Sequence, residues 1–249
     1  MFQKYLFMYR NNFAQLLFFS ILMPISIYLF IMVPFSSFVD LSLIGNINFF
    51  VWGSVGLMIL STLIMSIFIA YIESGRLLMK DYFASIFVSR ITMVDIVGSL
   101  ILWTTLASFL QFLVSMFIVK GLVPEFYITL IDFLYFILLA LSTCFFLSSF
   151  WVAVYIALDK SYFTKLIITI FFVLFFSFGL GLFVPALEKY YTIEYIAIIN
   201  KIPLSSLIQN FQNIVLNKGI NFLNLTIVLL LAIFFSFVSV YILERRNIR

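Results

Sequence analysis

Charge that could do chemistry is concentrated in one interval of this chain. Glu73, Arg76, Lys80, Asp81, Arg90 and Asp95 all fall within residues 73–95, between runs that are almost uncharged. On a helix, Glu73, Arg76 and Lys80 share a stripe (i, i+3, i+7), where opposite charges pair for about 0.2–0.5 kcal/mol. Leu78, Tyr82 and Ile86, with Phe83 and Phe87 beside them, make a second, apolar stripe. The chemistry of such a stretch is docking: a helix lying along a membrane surface with its charges in water, offering ion pairs to a partner. A solvated connector between two spans is the plainer alternative.

Catalytic chemistry is mostly excluded. The chain holds no histidine, which removes Ser-His and Cys-His nucleophile pairs and His-ligated zinc or haem. Its one cysteine, Cys144, lies inside an apolar run, so it reads as a small buried hydrophobe, with no internal disulfide and no thiolate metal cluster. No G-x-x-x-x-G-K-[ST] occurs, so a nucleotide phosphate would have to be cradled by another subunit. The chain is therefore expected to be no enzyme by itself, with no cofactor of its own.

The elements that must position the docking stretch are membrane spans. A composition 65% hydrophobic and 10% charged leaves too little polar side chain to cover a soluble globule, and no interval is long enough for a soluble domain. The apolar runs predict six spans in one domain, at residues 13–35, 49–72, 96–119, 126–158, 166–187 and 222–243, an all-α membrane protein. Pro24 falls near the middle of the first span, where it removes one backbone hydrogen bond and asks a neighbouring helix to satisfy the freed carbonyl. The fourth run is longer than a bilayer requires and must tilt, break or protrude. Phenylalanine, 34 residues of 249, reads mainly as lipid-facing filler.

Before the first span, Phe2, Tyr5, Leu6, Tyr9 and Phe13 share one face while Lys4, Arg10, Asn11 and Asn12 share the other, so residues 1–12 predict an interfacial amphipathic helix. The apolar run that follows is too long for a cleavable signal and lacks a small-residue cleavage site. Six spans put both termini on one side. That side carries Lys4, Arg10, Arg76, Lys80, Arg90, Lys160, Lys165, Arg245, Arg246 and Arg249, against Lys120, Lys189, Lys201 and Lys218 on the other. The positive-inside rule makes the first set, with both termini and the docking stretch, cytoplasmic in a cell membrane.

Residues 203–219, PLSSLIQNFQNIVLNKG, open on a proline suited to a first helical turn and close on a glycine suited to a C-terminal cap. The helix is amphipathic, with Leu204, Leu207, Ile208, Phe211, Ile214 and Val215 opposite Ser205, Gln209, Asn210, Gln212 and Asn213. It is too short to cross, so it either lies flat on the outer surface or re-enters with its amide face toward protein or a water-filled cavity. Within the spans, Gln111 and Asp132 are the candidate pathway residues. Asp132 either faces water or Lys120, or makes a functional contact. Ion-coupled carriers generally need buried carboxylates along their path, so a chain this poor in them must draw its energy from elsewhere.

The order of these elements resembles that of the ABC-2 type permeases, the membrane subunits of ATP-driven exporters. The resemblance is carried by Ile72-Glu73-Ser74-Gly75-Arg76 through Val88-Ser89-Arg90-Ile91-Thr92 to Gly98, and by Asn200-Lys201-Ile202-Pro203-Leu204 through Gly219. It implies that residues 73–95 hold a coupling helix seated in a cleft of a cytoplasmic ATPase, with Glu73, Arg76, Lys80, Asp81, Tyr82 and Arg90 as docking residues. It implies a second permease copy, ATP and magnesium on the partner ATPase, and an outer gate at 203–219 in which Pro203, Gln209, Asn210, Phe211, Gln212 and Asn213 take part. The expected cargo is amphiphilic or hydrophobic, a drug, an antibiotic or a lipid, with polysaccharide or glycolipid export the rival within the class. Membrane lipid is an expected partner and nucleic acid is not. A nucleotide-independent secondary carrier or channel is the competing class, and a non-transporting immunity or scaffold protein a third.

Overall fold

The computed structural model describes residues 13–39, 48–78, 92–158, 162–185, 190–216 and 221–247. The expected interfacial helix at 1–12 lies outside the described residues, as does most of the docking stretch, including Lys80, Asp81, Tyr82 and Arg90. Every regular element among the described residues is helical.

Among the described residues, six helices are long and apolar enough to cross a membrane. In chain order we label α1 (Phe13–Ile27, continued through Phe35), α2 (Phe49–Leu77), α3 (Met93–Leu122), α4 (Leu130–Ala157), α5 (Tyr162–Leu174, continued through Gly179) and, after two short helices α6 (Ile193–Ile199) and α7 (Pro203–Val215), α8 (Phe222–Asn247). At 1.5 Å per residue, the 29 residues of α2 and the 30 of α3 exceed what a bilayer core of about 30 Å demands, so both extend past the expected span limits.

Side chains at the helix starts explain several corrected boundaries. Thr92 caps α3 and makes a reciprocal capping box with Asp95, so Asp95, the last residue of the expected docking stretch, stands in the first turn of the third helix. Thr129 caps α4 by accepting from the Asp132 amide, which is why the long fourth run becomes helical only at Leu130, residues 126–129 staying outside the helix. Asn48 caps α2 by accepting from the Phe50 amide, and its own amide donates to Glu125, 2.8 Å away, tying the start of α2 to the turn before α4. The fifth span was placed too late: it begins at Tyr162 and ends at Gly179, and the polar-looking start around Lys165 is already helix.

α2 is the central helix, 78% buried along its most apolar window, whereas α1, α5 and α8 are 28%, 17% and 22% buried and form the periphery. It packs against α3 and α4, and α4 packs in turn against α8. Lipid tails are as apolar as leucine, so association of these helices rests on close packing and interhelical hydrogen bonds. Small and hydroxyl residues accordingly line α2: Ser54, Ser61, Thr62 and Ser66 are buried and return their protons to carbonyls one turn back.

Phenylalanine is split between two roles, so the filler reading covers only part of it. Phe18, Phe30, Phe117, Phe163, Phe171 and Phe237 face outward, whereas Phe112, Phe136 and Phe211 join α3, α4 and α7 in one buried ring cluster, centroids 5.3–6.3 Å apart.

Candidate functional site

Polar chemistry among the described residues includes the end of α2 where the docking stretch begins, a polar joint in the middle of the bundle, and the opposite end where α7 sits.

At the first, α2 runs unbroken through Glu73 and Arg76 to Leu77. These two residues are therefore the end of a spanning helix and not the start of a separate surface helix. Residues 73–77 include the good helix formers Glu, Arg and Leu, and one glycine is too weak a breaker to stop a helix already packed on its neighbours. Glu73 is 3% exposed and its carboxylate meets the Arg76 guanidinium at 2.7 Å, the i, i+3 contact that the spacing predicts. Arg76 itself reaches outward, with its side chain 41% exposed.

The joint in the middle is built around Pro24. A proline has no N–H, so the Ser20 carbonyl one turn earlier loses its intrahelical partner. Gln111 of α3 supplies the replacement, its Nε2 lying 3.0 Å from that oxygen. Gln111 also reaches the Ser115 hydroxyl, which lies 2.6 Å from Ser61 Oγ of α2, so one chain of polar contacts joins α1, α3 and α2. Gln111, one of the two candidate pathway residues, is 1% exposed and is held within this chain of contacts. Beyond Pro24 the first span widens to a π turn over Tyr28–Met32 ahead of Pro34, an adjustment that accommodates a residue with no amide hydrogen. Asp132 also has a local task, accepting from the Thr129 hydroxyl in the first turn of α4.

At the far end, α7 is strongly amphipathic yet enclosed on nearly every side: Leu204 to Ile208, Asn210 to Gln212 and Ile214 are buried against α2, α4 and α8. It is not flat on a surface. Its amides bond to neighbouring backbone and side-chain groups. Asn210 both accepts from the Asn221 amide and donates to the Asn221 carbonyl, at 3.0 and 2.9 Å. Gln212 donates to the Gly181 carbonyl at 2.9 Å, and Gln209 to Asn200 Oδ1. Pro203 occupies the first helical turn, Phe211 is fully buried in the ring cluster, and Asn213 is half-buried.

Residues 180–185, expected to be the tail of a span, instead form a buried non-helical loop. Leu182 and Phe183 are fully buried and press on Gly56 of α2, where a Cβ would stand 2.7 Å from the Phe183 ring. Gly181 sits at φ 79°, a conformation that glycine alone adopts without strain. The carbonyls released at the end of α5 are taken by two phenols, Tyr191 donating to Phe178 O and Tyr195 to Gly179 O. Burial, with Tyr195 alongside, pushes the Tyr191 phenol up to about 12. Backbone placed this deep is permitted in a membrane protein only when protein groups satisfy it, and Gln212, Tyr191 and Tyr195 meet that requirement.

Sequence alone did not single out a fourth grouping, in which Tyr71 of α2, Tyr155 of α4 and Tyr162 and Lys165 of α5 come together. Its signal was the i, i+3, i+7 stripe of Tyr162, Lys165 and Thr169, hidden by placing the fifth span four residues late. Compared with known proteins, the chain matches no family model, no curated protein and no solved structure.

Proposed function

We propose that this multi-pass membrane protein is the transmembrane subunit of an ATP-driven exporter of the ABC-2 type, moving an amphiphilic or hydrophobic cargo. The observation that carries the reading is where the charges stand. Among the described residues every Asp, Glu, Lys and Arg of the six spans lies within about two turns of a helix end. A helix bundle whose middle offers no charged relay lacks the buried carboxylates that ion-coupled carriers generally use, and the charged stretch joining α2 to α3 is the place to receive a mechanical input.

On this reading Glu73 and Arg76 stiffen the base of α2, and residues 79–91, with Lys80, Asp81, Tyr82 and Arg90, meet the ATPase on the cytoplasmic side. Movement transmitted along the central α2 reaches the opposite end, where α7 and the loop at 180–185 are seated against it, and the α7 end opens outward between two copies. Magnesium and ATP belong to the partner.

The test is affinity capture of the tagged full-length chain from its own host, read by mass spectrometry for a co-purifying protein that contains a P-loop. Lys80→Glu with Arg90→Glu should abolish that capture while leaving the thermal unfolding midpoint of the membrane protein in place. Retention of the ATPase by this variant would remove the docking assignment, and uphill solute movement by the purified chain without nucleotide would remove the class.

A further inference from the structure

α1 and α5, two of the thinly covered spans, share an irregularity. Each widens into a π turn near the end of the bundle where α7 sits, over Tyr28–Met32 and Phe175–Gly179. The Val33 N–H donates to Tyr28 O and the Leu180 N–H to Phe175 O, each five residues back. Turns of this kind are rare and concentrate at functional positions of helices. Pro34 asks for the first, whereas the second contains no proline and runs directly into the loop at 180–185.

Each π turn leads to a seat on α2. Met32, the last residue of the first turn, is fully buried, and a Cβ on Gly53 would stand 2.9 Å from its Cε. Phe183, just past the second turn, covers Gly56 in the same way. Gly53 and Gly56 are three residues apart and share one face of α2. Glycine is a poor residue for a helix interior, and here its missing side chains admit the two close approaches. The seats are also joined to each other, because the Phe35 and Phe178 rings stack with centroids 5.4 Å apart and link the end of α1 to the end of α5.

We propose that the π-turn ends of α1 and α5 form one strap, hinged at the two turns, that seats on the Gly53–Gly56 face of α2 and lifts from it as a whole. Three contacts close a ring: Met32 on Gly53, Phe183 on Gly56, and Phe35 on Phe178. Dislodging either seat pulls on the ring pair and weakens the other seat, which two independent packing contacts would not do. Gln212 of α7 bonds the Gly181 carbonyl within the same loop, so release of the strap is felt at α7. The strap is independent of the exporter reading, because every contact in it lies within one chain.

The experiment is hydrogen–deuterium exchange, read by mass spectrometry, on the purified full-length chain in detergent, without any ATPase. Gly56→Ala, whose added methyl meets the Phe183 ring, should raise exchange about tenfold at residues 180–185 and, away from the substitution, about threefold at residues 28–36. Residues 96–119 of α3 should be unchanged. Met32→Ala empties the other seat and should raise exchange about threefold at residues 176–185; it serves if Gly56→Ala does not fold. With Phe35 already replaced by alanine, Gly56→Ala should still loosen 180–185 but add nothing at 28–36. A rise confined to the segment around each substituted seat, or an equal rise in α3, would overturn the proposal. So would a rise at 28–36 that Gly56→Ala still adds once Phe35→Ala has cut the link.

Discussion

Replacing Gln111 with leucine isolates the polar joint of the bundle. The substitution keeps the approximate volume, removes the Nε2 contacts to Ser20 O and Ser115 Oγ, and leaves the proline-freed carbonyl in an apolar setting. Orphaning a buried acceptor costs about 1–3 kcal/mol in water-soluble proteins, but interhelical hydrogen bonds in membranes average about 0.6 kcal/mol and reach about 1.7. The Gln111 Oε1 atom is buried without a partner, so its removal returns part of the loss. A net destabilisation of about 1 kcal/mol is expected. The decisive comparison is a double-mutant cycle with Pro24→Ala, which restores an N–H able to bond Ser20 O within α1. In the alanine background Gln111→Leu should be nearly neutral, giving a coupling of about 1 kcal/mol. Reversible unfolding in mixed micelles, followed by tryptophan fluorescence, measures all four corners. Additive effects of the two substitutions would refute the idea that Gln111 is there because of Pro24.

Further expectations concern the α7 end. Gly56→Val places a Cβ 2.7 Å from the Phe183 ring and 3.0 Å from Leu182 O, and should destabilise by about 1–3 kcal/mol in the same unfolding assay. Asn210→Leu removes both contacts to the Asn221 backbone, and about 1–3 kcal/mol should be lost, with increased proteolysis near the start of α8 as a second readout. The Tyr191 phenol, raised toward 12 by burial, keeps its proton where the unfolded chain has lost it, so its contribution is complete below about pH 10 and disappears as the pH rises through 12. Ultraviolet titration of wild type against Tyr191→Phe should show one late-ionising phenol, and the variant should lose less stability between pH 10 and 12.

The spans were legible because continuous apolar runs need no knowledge of partners, and the demand that Pro24 makes on a neighbour could be stated from covalent structure alone. That Gln111 answers it could not, since the two residues are far apart in sequence and meet only through packing. Helix starts were misplaced wherever hydropathy was trusted over capping: the T-x-x-D patterns at Thr92 and Thr129 mark two of them, and Lys165 was assigned to a loop because a charge looks like one. The amides of α7 were legible as a polar face, but whether they met protein or water was not, because their backbone partners at Gly181 and Asn221 lie in segments whose paths a linear pattern does not reveal.

The deep loop at 180–185 also constrains the order in which the molecule is made. Its Gly181 carbonyl waits for Gln212, 31 residues downstream, so when α5 leaves the ribosome the group that will satisfy its trailing loop has not yet emerged. Until then that backbone must stay at the aqueous boundary or borrow another donor, and α5, the least covered of the spans, should become protected from a membrane protease only after the chain has grown past α7.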